Sequence, residues 1–347
     1  MAPEVSVLIC AHNEEKYIGE AVKSVLVEKN IKIEVIVVND RSTDRTPEIL
    51  NDLVANDSRI KIITRVDQES LVDHGSGKYY MQDHGYGGQT DALNLGLQHC
   101  SGRYIARLDA DDLCLSDRFE KQLAYLQANP EVSFLGGSAV RIDNAGREFG
   151  AYHARPLSHE EIVSNLESFK AYAPHSSWMV KALVYKSLNG YNENGFRAED
   201  LDFMLRASEM EGLKFGFLTD PVIQLRMQDN RLSTGMSTVP FEHAIESVVR
   251  HMLRLKGVNI SPQLHDSIRS SVQSEVQKYN LVYDLVAYRA MVNSYIALKT
   301  KKYFIMSVNF LKVIRYRPLM LFKKGLFSQK KLDVVNRVCG NILKEYS

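Results

Sequence analysis

The chain has 347 residues, 45% apolar and 24% charged, the balance of a soluble globular protein with length for one large or two modest cored domains. A formal net charge of +1 supplies no basic field over the whole molecule, so nucleic acid is not expected as a partner. Four scattered cysteines, Cys10, Cys100, Cys114 and Cys339, form no C-x-x-C pair, which disfavours a disulfide framework and suits a reducing, cytoplasmic setting.

The N-terminal stretch MAPEVSVLIC has neither a basic region nor a cleavage pattern, and no run of about 18 apolar residues occurs. Neither a signal peptide nor a membrane-spanning helix is therefore expected. VSVLIC (5–10) is a short branched run that reads as a strand buried on both faces. From Tyr17 the apolar positions Ile18, Val22, Val25 and Leu26 recur at helical spacing. EVIVVND (34–40) is a second buried strand, and Thr46-Pro47 reads as a helix cap followed by proline in the first turn. Then come strand IKIITR (60–65), helix TDALNLGLQ (90–98), strand YIARLD (104–109), helix RFEKQLAYLQ (118–127) and strand VSFLGGSAVRI (132–142). Strands spaced by helices predict βαβ units, hence an α/β fold with a mostly parallel sheet covered on both sides.

After about residue 150 the pattern loosens. It offers WMVKALVYKSL (178–188) as one candidate element, a helix through LDFMLRASE (201–209), strands KFGFL and PVIQLRM within 214–227, and nearly continuous helix from Phe241. The break at STGMSTVP places a boundary near 238, giving a unit 1–238 and a helical extension 239–347. Residues 285–332 carry eleven Lys/Arg and no Asp/Glu, which leaves residues 1–284 at a net −10.

GSGKYY (75–80) lacks the leading glycine and trailing Ser/Thr of a phosphate loop, and the first strand-to-helix turn, CAHNEEKY, has no glycine. Dinucleotide and P-loop chemistry are both disfavoured. Carboxylates instead crowd the strand ends, where open parallel sheets bind ligands. His12-Asn13-Glu14 follows the first strand, Asn39-Asp40 ends the second, and Asp109-Ala110-Asp111-Asp112 ends the fourth. Like charges so close either splay into water as turn and cap residues or surround a cation. In an extended stretch Asp109 and Asp111 share one side, as two oxygen donors suited to Mn²⁺ or Mg²⁺. Asp44, Thr46 and Asp117 stand before helices and read as caps.

VSVLICAHNEE, VIVVNDRSTDRT, GGQTDALNLGL, YIARLDADD and RAEDLDFMLR, in this order over about residues 4–235, together resemble a family 2 glycosyltransferase. That resemblance implies a GT-A fold and an inverting enzyme using a nucleotide-sugar donor, a UDP-sugar in the first instance. It implies that Asp40 bonds the base, with Cys10, His12, Asn13 and Glu14 lining the nucleotide pocket. Gln89 and Asp91 would reach the nucleotide or sugar, with Asn94 behind them, although Thr90 or Asp91 equally suit a helix cap. Asp111 would hold the metal, Asp109 would contact ribose or metal, and Asp112 would support them. By the same resemblance the catalytic base lies in Glu199-Asp200. Asp200 is expected to take the acceptor proton, Glu199 to orient or bind sugar, and Asp202 to be a surface or capping residue.

The chain departs from the family in two places. Relatives often have an Arg-x-His where this chain has Arg226-x-Gln228, so Arg226 or Arg231 would be left to bind phosphate. The stretch between Arg65 and Gly87 is also long, with Tyr79, Tyr80 and His84 either bordering the donor or acceptor site or lying in a plain mobile insertion. His175 and Trp178 fall where the family builds its acceptor side, though Trp178 also suits the core. Lys/Arg interleaved with apolar residues in 299–324 suit three roles: an amphipathic helix on an anionic membrane, a subdomain packed on the catalytic unit, or a dimer contact. The acceptor implied is a glycan or lipid-linked oligosaccharide of a bacterial surface polymer, met on the inner face of the cytoplasmic membrane. A nucleotidyltransferase or a non-catalytic nucleotide-sugar-binding module would share the carboxylates but not require Asp200.

Overall fold

A computed structural model describes residues 2–65, 88–152, 156–169, 172–192, 198–227, 239–278 and 326–346. Nine strands, in the order β3-β2-β1-β4-β8-β6-β9-β5 with β7 beside β6, form one mixed sheet. Its first half is parallel throughout. β1 (Val5–Ala11) lies between β2 (Ile33–Asp40) and β4 (Tyr104–Asp109), and β3 (Ile60–Arg65) flanks β2. Every residue of β2 is buried, which is why its centre, Val35–Val38, is continuously apolar rather than alternating.

The second half reverses direction. β8 (Met179–Lys181) runs antiparallel to both β4 and β6 (Val132–Ile142), and β9 (Lys214–Arg226) returns parallel to β6. β5 (Leu113–Cys114) and β7 (Glu148–Tyr152) are short antiparallel additions to β9 and β6. The candidate element 178–188 divides into two, and one expectation is corrected. Residues 179–181 are a strand, because Met179 and Val180 are fully buried between β4 and β6; the helix starts only at Ala182. The two strands expected in 214–227 are one, with irregular register against β6 around Ser138 that accommodates Asp220-Pro221.

Two apolar layers cover the sheet. Val5, Val7, Ile9, Val35, Val37 and Leu108 face one side, against α1 (Ile18–Leu26), α2 (Thr46–Asn56) and α4 (Arg118–Ala128). Leu8, Ile36, Val38 and Ile105 face the other, against α3 (Gln89–Leu97), α5 (His159–Glu167), α6 (Ala182–Ser187) and α7 (Glu199–Ser208). That second layer continues without interruption into α8 (Val239–Leu255), α9 (Pro262–Lys278) and α10 (Leu326–Tyr346), through Ile245, Val249, Ile268, Val272, Val335 and Ile342.

The candidate residues inherit their placement from the two-residue period of the strands. Cys10, Asp40 and Asp109 keep step with Leu8, Val38 and Ile105, on the α3–α7 face, at the carboxyl edge. β1 is also where the strand order switches, the position at which open α/β sheets leave a crevice for ligands.

Candidate active site

The loops after β1 and β2 interlock. His12 Nδ1 donates to Asp40 O at 2.6 Å; since a carbonyl can only accept, this fixes the proton on Nδ1 and leaves Nε2 facing Asn13 Nδ2 at 3.3 Å. Asn13 Oδ1 accepts from Thr43 N at 2.7 Å, and Asn13 N donates to Ser42 Oγ at 3.0 Å. Asn13 and Arg41 both hold left-handed backbone, φ 56° and 54°, an uncommon state for non-glycine residues that the interlocking bonds maintain. Glu14 N donates to Thr46 Oγ1 at 2.8 Å and Glu15 N to Asp44 Oδ2 at 3.0 Å. Thr46 is thus the first residue of α2 rather than its cap.

Asp40 is buried, with Arg41 Nε at 3.2 Å and Arg65 Nη1 at 3.0 Å on Oδ1. Burial raises its pKa against the opposing pull of the two guanidinium groups. Arg65 also donates to Gly88 O at 3.3 Å and reaches Asp91 at 3.5 Å, joining the second strand end to the start of α3. That start is capped by neither Thr90 nor Asp91: Gly88 occupies the cap position at φ 69° with no side-chain capping bond. Gln89 is half-buried beside it. Asn94 instead pairs with the backbone of Tyr191, Nδ2 to O at 2.9 Å and Oδ1 from N at 2.8 Å.

Asp109–Asp112 is a turn, not the extended stretch expected, closed by Asp112 N to Asp109 O at 3.2 Å. The turn does what alternation would not, bringing oxygens of Asp109, Asp111 and Asp112 within 4.8 Å of one another. Three clustered hard oxygen donors fit Mn²⁺ or Mg²⁺. Arg107 Nη2 donates to Asp109 Oδ1 at 2.7 Å from a fully buried position in β4, with Nη1 on Leu108 O. Cys10 lies within the field of Asp40, Asp109 and Arg107, and burial pushes its thiol up to about 12, so it lines the floor as an uncharged group.

Across from this turn stands the N-terminus of α7. Burial drives Glu199 up to about 8, with the charge of Asp200 adding to the rise and Asp109 contributing a smaller part. Asp200 is also raised, by burial and by Asp109, although its Oδ1 accepts Leu201 N at 2.7 Å. Both members of the acid pair therefore lie within the field of Asp109. A buried acid and a half-buried one, both with raised pKa values beside a cation-compatible turn, make the kind of perturbed cluster that marks a functional site.

Comparisons with known proteins decide the family. Residues 6–188 match the model of glycosyl transferase family 2. The chain belongs to that family. An uncharacterized glycosyltransferase of Haemophilus influenzae is 31% identical over 242 residues, 67% of this chain and 68% of the relative. Among solved structures, S. aureus TarS 1-349 in complex with UDP-GlcNAc superposes with a TM-score of 0.54 at 16% identity, over 99% of this chain and 92% of that one. The mannosyltransferase PcManGT from Pyrobaculum calidifontis, in complex with GDP-Man and Mn²⁺, gives 0.51 at 16% identity, over 98% and 87%. At such identities these two likenesses establish a shared GT-A fold.

Within the family 2 frame several expectations change. Arg226 is buried with its guanidinium engaged by protein groups, so it is not left to bind phosphate; Gln228 and Arg231 lie outside the described residues. Asp202 is no surface residue. It is buried, paired to Arg206 at 2.7 Å and to Arg250 of α8 at 3.4 Å. Trp178 is fully buried, edge-on to Phe134 at 4.7 Å and stacked near Phe203, and so belongs to the core. His175 is held beside it, Nε2 to Tyr191 hydroxyl at 2.7 Å, with burial and Arg107 taking its pKa down to about 3. Tyr79, Tyr80, His84 and 279–325 lie outside the described residues. Sequence reading passed over Arg107, Arg65 and Ser176. Only Arg107 carried a signal, a charge in the middle of an otherwise apolar strand.

Proposed function

We propose that this family 2 enzyme is a metal-dependent, inverting glycosyltransferase that moves a sugar from a nucleotide-sugar, a UDP-sugar first, to a glycan hydroxyl. What supports this is the Asp109–Asp112 cluster at the carboxyl end of β4, with the Glu199-Asp200 pair close enough for Asp109 to raise both of its members. Asp40, Cys10, His12, Asn13 and Glu14 receive the nucleoside, and Gln89 and Asp91 the donor side. The oxygens of Asp111 and Asp109 would hold Mn²⁺ or Mg²⁺, which when bound offsets charge on the departing diphosphate.

Asp200 removes the acceptor hydroxyl proton as that oxygen attacks the anomeric carbon. One carbon–oxygen bond forms while the bond to the diphosphate breaks, so configuration inverts and no glycosyl-enzyme is formed. Glu199 orients the acceptor. Residues 1–238 supply these groups, and α8 braces α7 from behind through Arg250 on Asp202. The acceptor is a surface-polymer glycan or its lipid-linked form. Residues 285–332 would bring the enzyme to the anionic inner face of the cytoplasmic membrane through basic charge, with a homodimer contact as the competing use.

The test is a panel of UDP-, GDP- and dTDP-sugars with Mn²⁺, scored by released nucleotide with and without EDTA. Release from one donor, abolished by EDTA and by Asp111→Ala, is expected. Release that persists unchanged in EDTA would refute metal dependence.

A further inference from the structure

We propose that Ser176 and Arg226 are positioning residues for the cation-receiving turn: acting through Asp112, they hold Asp109 and Asp111 aimed at one point. The proposal deepens the metal-dependent reading above and rests on it. Three carboxylates within 4.8 Å of one another repel, and the single backbone bond across the turn is weak restraint against that.

The restraint comes from two other elements. Ser176 lies in a one-turn 3₁₀ helix, His175–Ser177, just before β8. Its hydroxyl uses both capacities at once, accepting from Asp109 N at 2.9 Å and donating to Asp112 Oδ2 at 2.6 Å. From β9, Arg226 N donates to the other oxygen, Asp112 Oδ1, at 2.8 Å, and Arg226 Nε donates to Asp111 O at 2.8 Å. Each oxygen of Asp112 thus receives a donor from a different element, while the backbones of Asp109 and Asp111 are gripped by the same two residues. Ser176, Asp112 and Arg226 are all buried, 0%, 0% and 1% exposed, where such bonds are least weakened by water.

Both anchors are themselves fixed. Ser177 Oγ donates to Pro174 O at 2.7 Å and accepts from Gly137 N at 3.1 Å, holding the 3₁₀ turn to β6. Arg226 Nη1 reaches Asp143 O and Asn144 O at 3.2 Å, Nη2 reaches Glu20 at 3.1 Å, and the guanidinium lies over Tyr17 at 4.4 Å. Asp112 is accordingly the keystone of the turn, and Asp109 and Asp111 are the residues it presents.

The experiment measures Mn²⁺ affinity of the full-length chain by electron paramagnetic resonance with UDP present, alongside melting without metal. Ser176→Ala is expected to weaken Mn²⁺ by about 10-fold, as loss of an outer-shell partner typically does. Arg226→Lys keeps the charge and the backbone donor but loses Nε; it should weaken Mn²⁺ in the same direction and serves if Ser176→Ala does not fold. A variant that melts earlier yet binds Mn²⁺ like the wild type would overturn the proposal and leave only a structural role. Wild-type protein that binds no Mn²⁺ with UDP would overturn the metal reading itself, a result separable from the first.

Discussion

At the scale of single residues, the acid pair on α7 has the most to lose. If Asp200 takes the acceptor proton, Asp200→Asn should lower kcat by about 10²–10⁴-fold while UDP affinity, read by calorimetry, stays near that of the wild type. Glu199 makes a prediction in stability. Its folded pKa, about 8, lies above the ordinary carboxyl value; its contribution is full below about pH 4.5 and is lost as pH rises toward 8. Glu199→Gln should therefore raise the metal-free melting temperature at pH 9 relative to wild type and have little effect at pH 4. Each pKa unit removed corresponds to about 1.4 kcal/mol.

Glu34 behaves in the opposite way at the far end of the sheet. Burial would raise its pKa, but bonds from Lys61, Ser6 and Ser101 outweigh it and bring the group down to about 2. Its stabilisation is present above about pH 4.5 and lost as pH falls toward 2. Glu34→Gln should cost about 1–3 kcal/mol at pH 7 in urea unfolding and nearly nothing at pH 2.

Legibility at this scale depended on chemistry. Asp40, Asp109 and Asp111 were readable because charge at the end of an apolar strand is conspicuous. Ser176 was not, because a serine between His175 and Ser177 carries no pattern and meets Asp109 only through folding 67 positions away. Asp202 was misjudged because its partner, Arg250, comes from a helix 48 residues on.

At the scale of elements, the parallel half was readable because strands buried on both faces leave unbroken apolar runs. The antiparallel half was harder. Met179–Lys181 is three residues long and runs directly into a helix, so 178–188 read as one undivided element. α5 was missed although its Ser158 and Glu161 form a complete capping box, a short-range signal available in SHEE.

The pairing of α7 with α8 makes the prediction at this level. Arg250 meets both Asp202 and Glu246, with all three side chains 1–2% exposed. Arg250→Met would strand buried carboxylate charge and should cost about 3–5 kcal/mol in denaturant unfolding. Adding Asp202→Asn should recover part of that loss, a coupling visible in a double-mutant cycle.

At the scale of the molecule, α8–α10 continue the apolar layer that lies behind α7. The helix α7, which carries the proposed base, is thereby sandwiched between the sheet and α8. No helix among the described residues is long and apolar enough to cross a membrane. If the basic segment 285–332 recruits the enzyme to a bilayer, full-length protein should sediment with anionic vesicles at low salt, release as salt screens the charge, and ignore neutral vesicles.

If the Asp109–Asp112 turn holds nucleotide and cation together, UDP binding should depend on the metal. The most direct measurement is calorimetric binding of UDP with Mn²⁺, with EDTA, and to Asp111→Ala. Tight binding is expected only with Mn²⁺ and the intact turn. Melting with ligand at 100 times its Kd should then show stabilisation of about 2.7 kcal/mol. Equal UDP affinity in EDTA and in Asp111→Ala would contradict it.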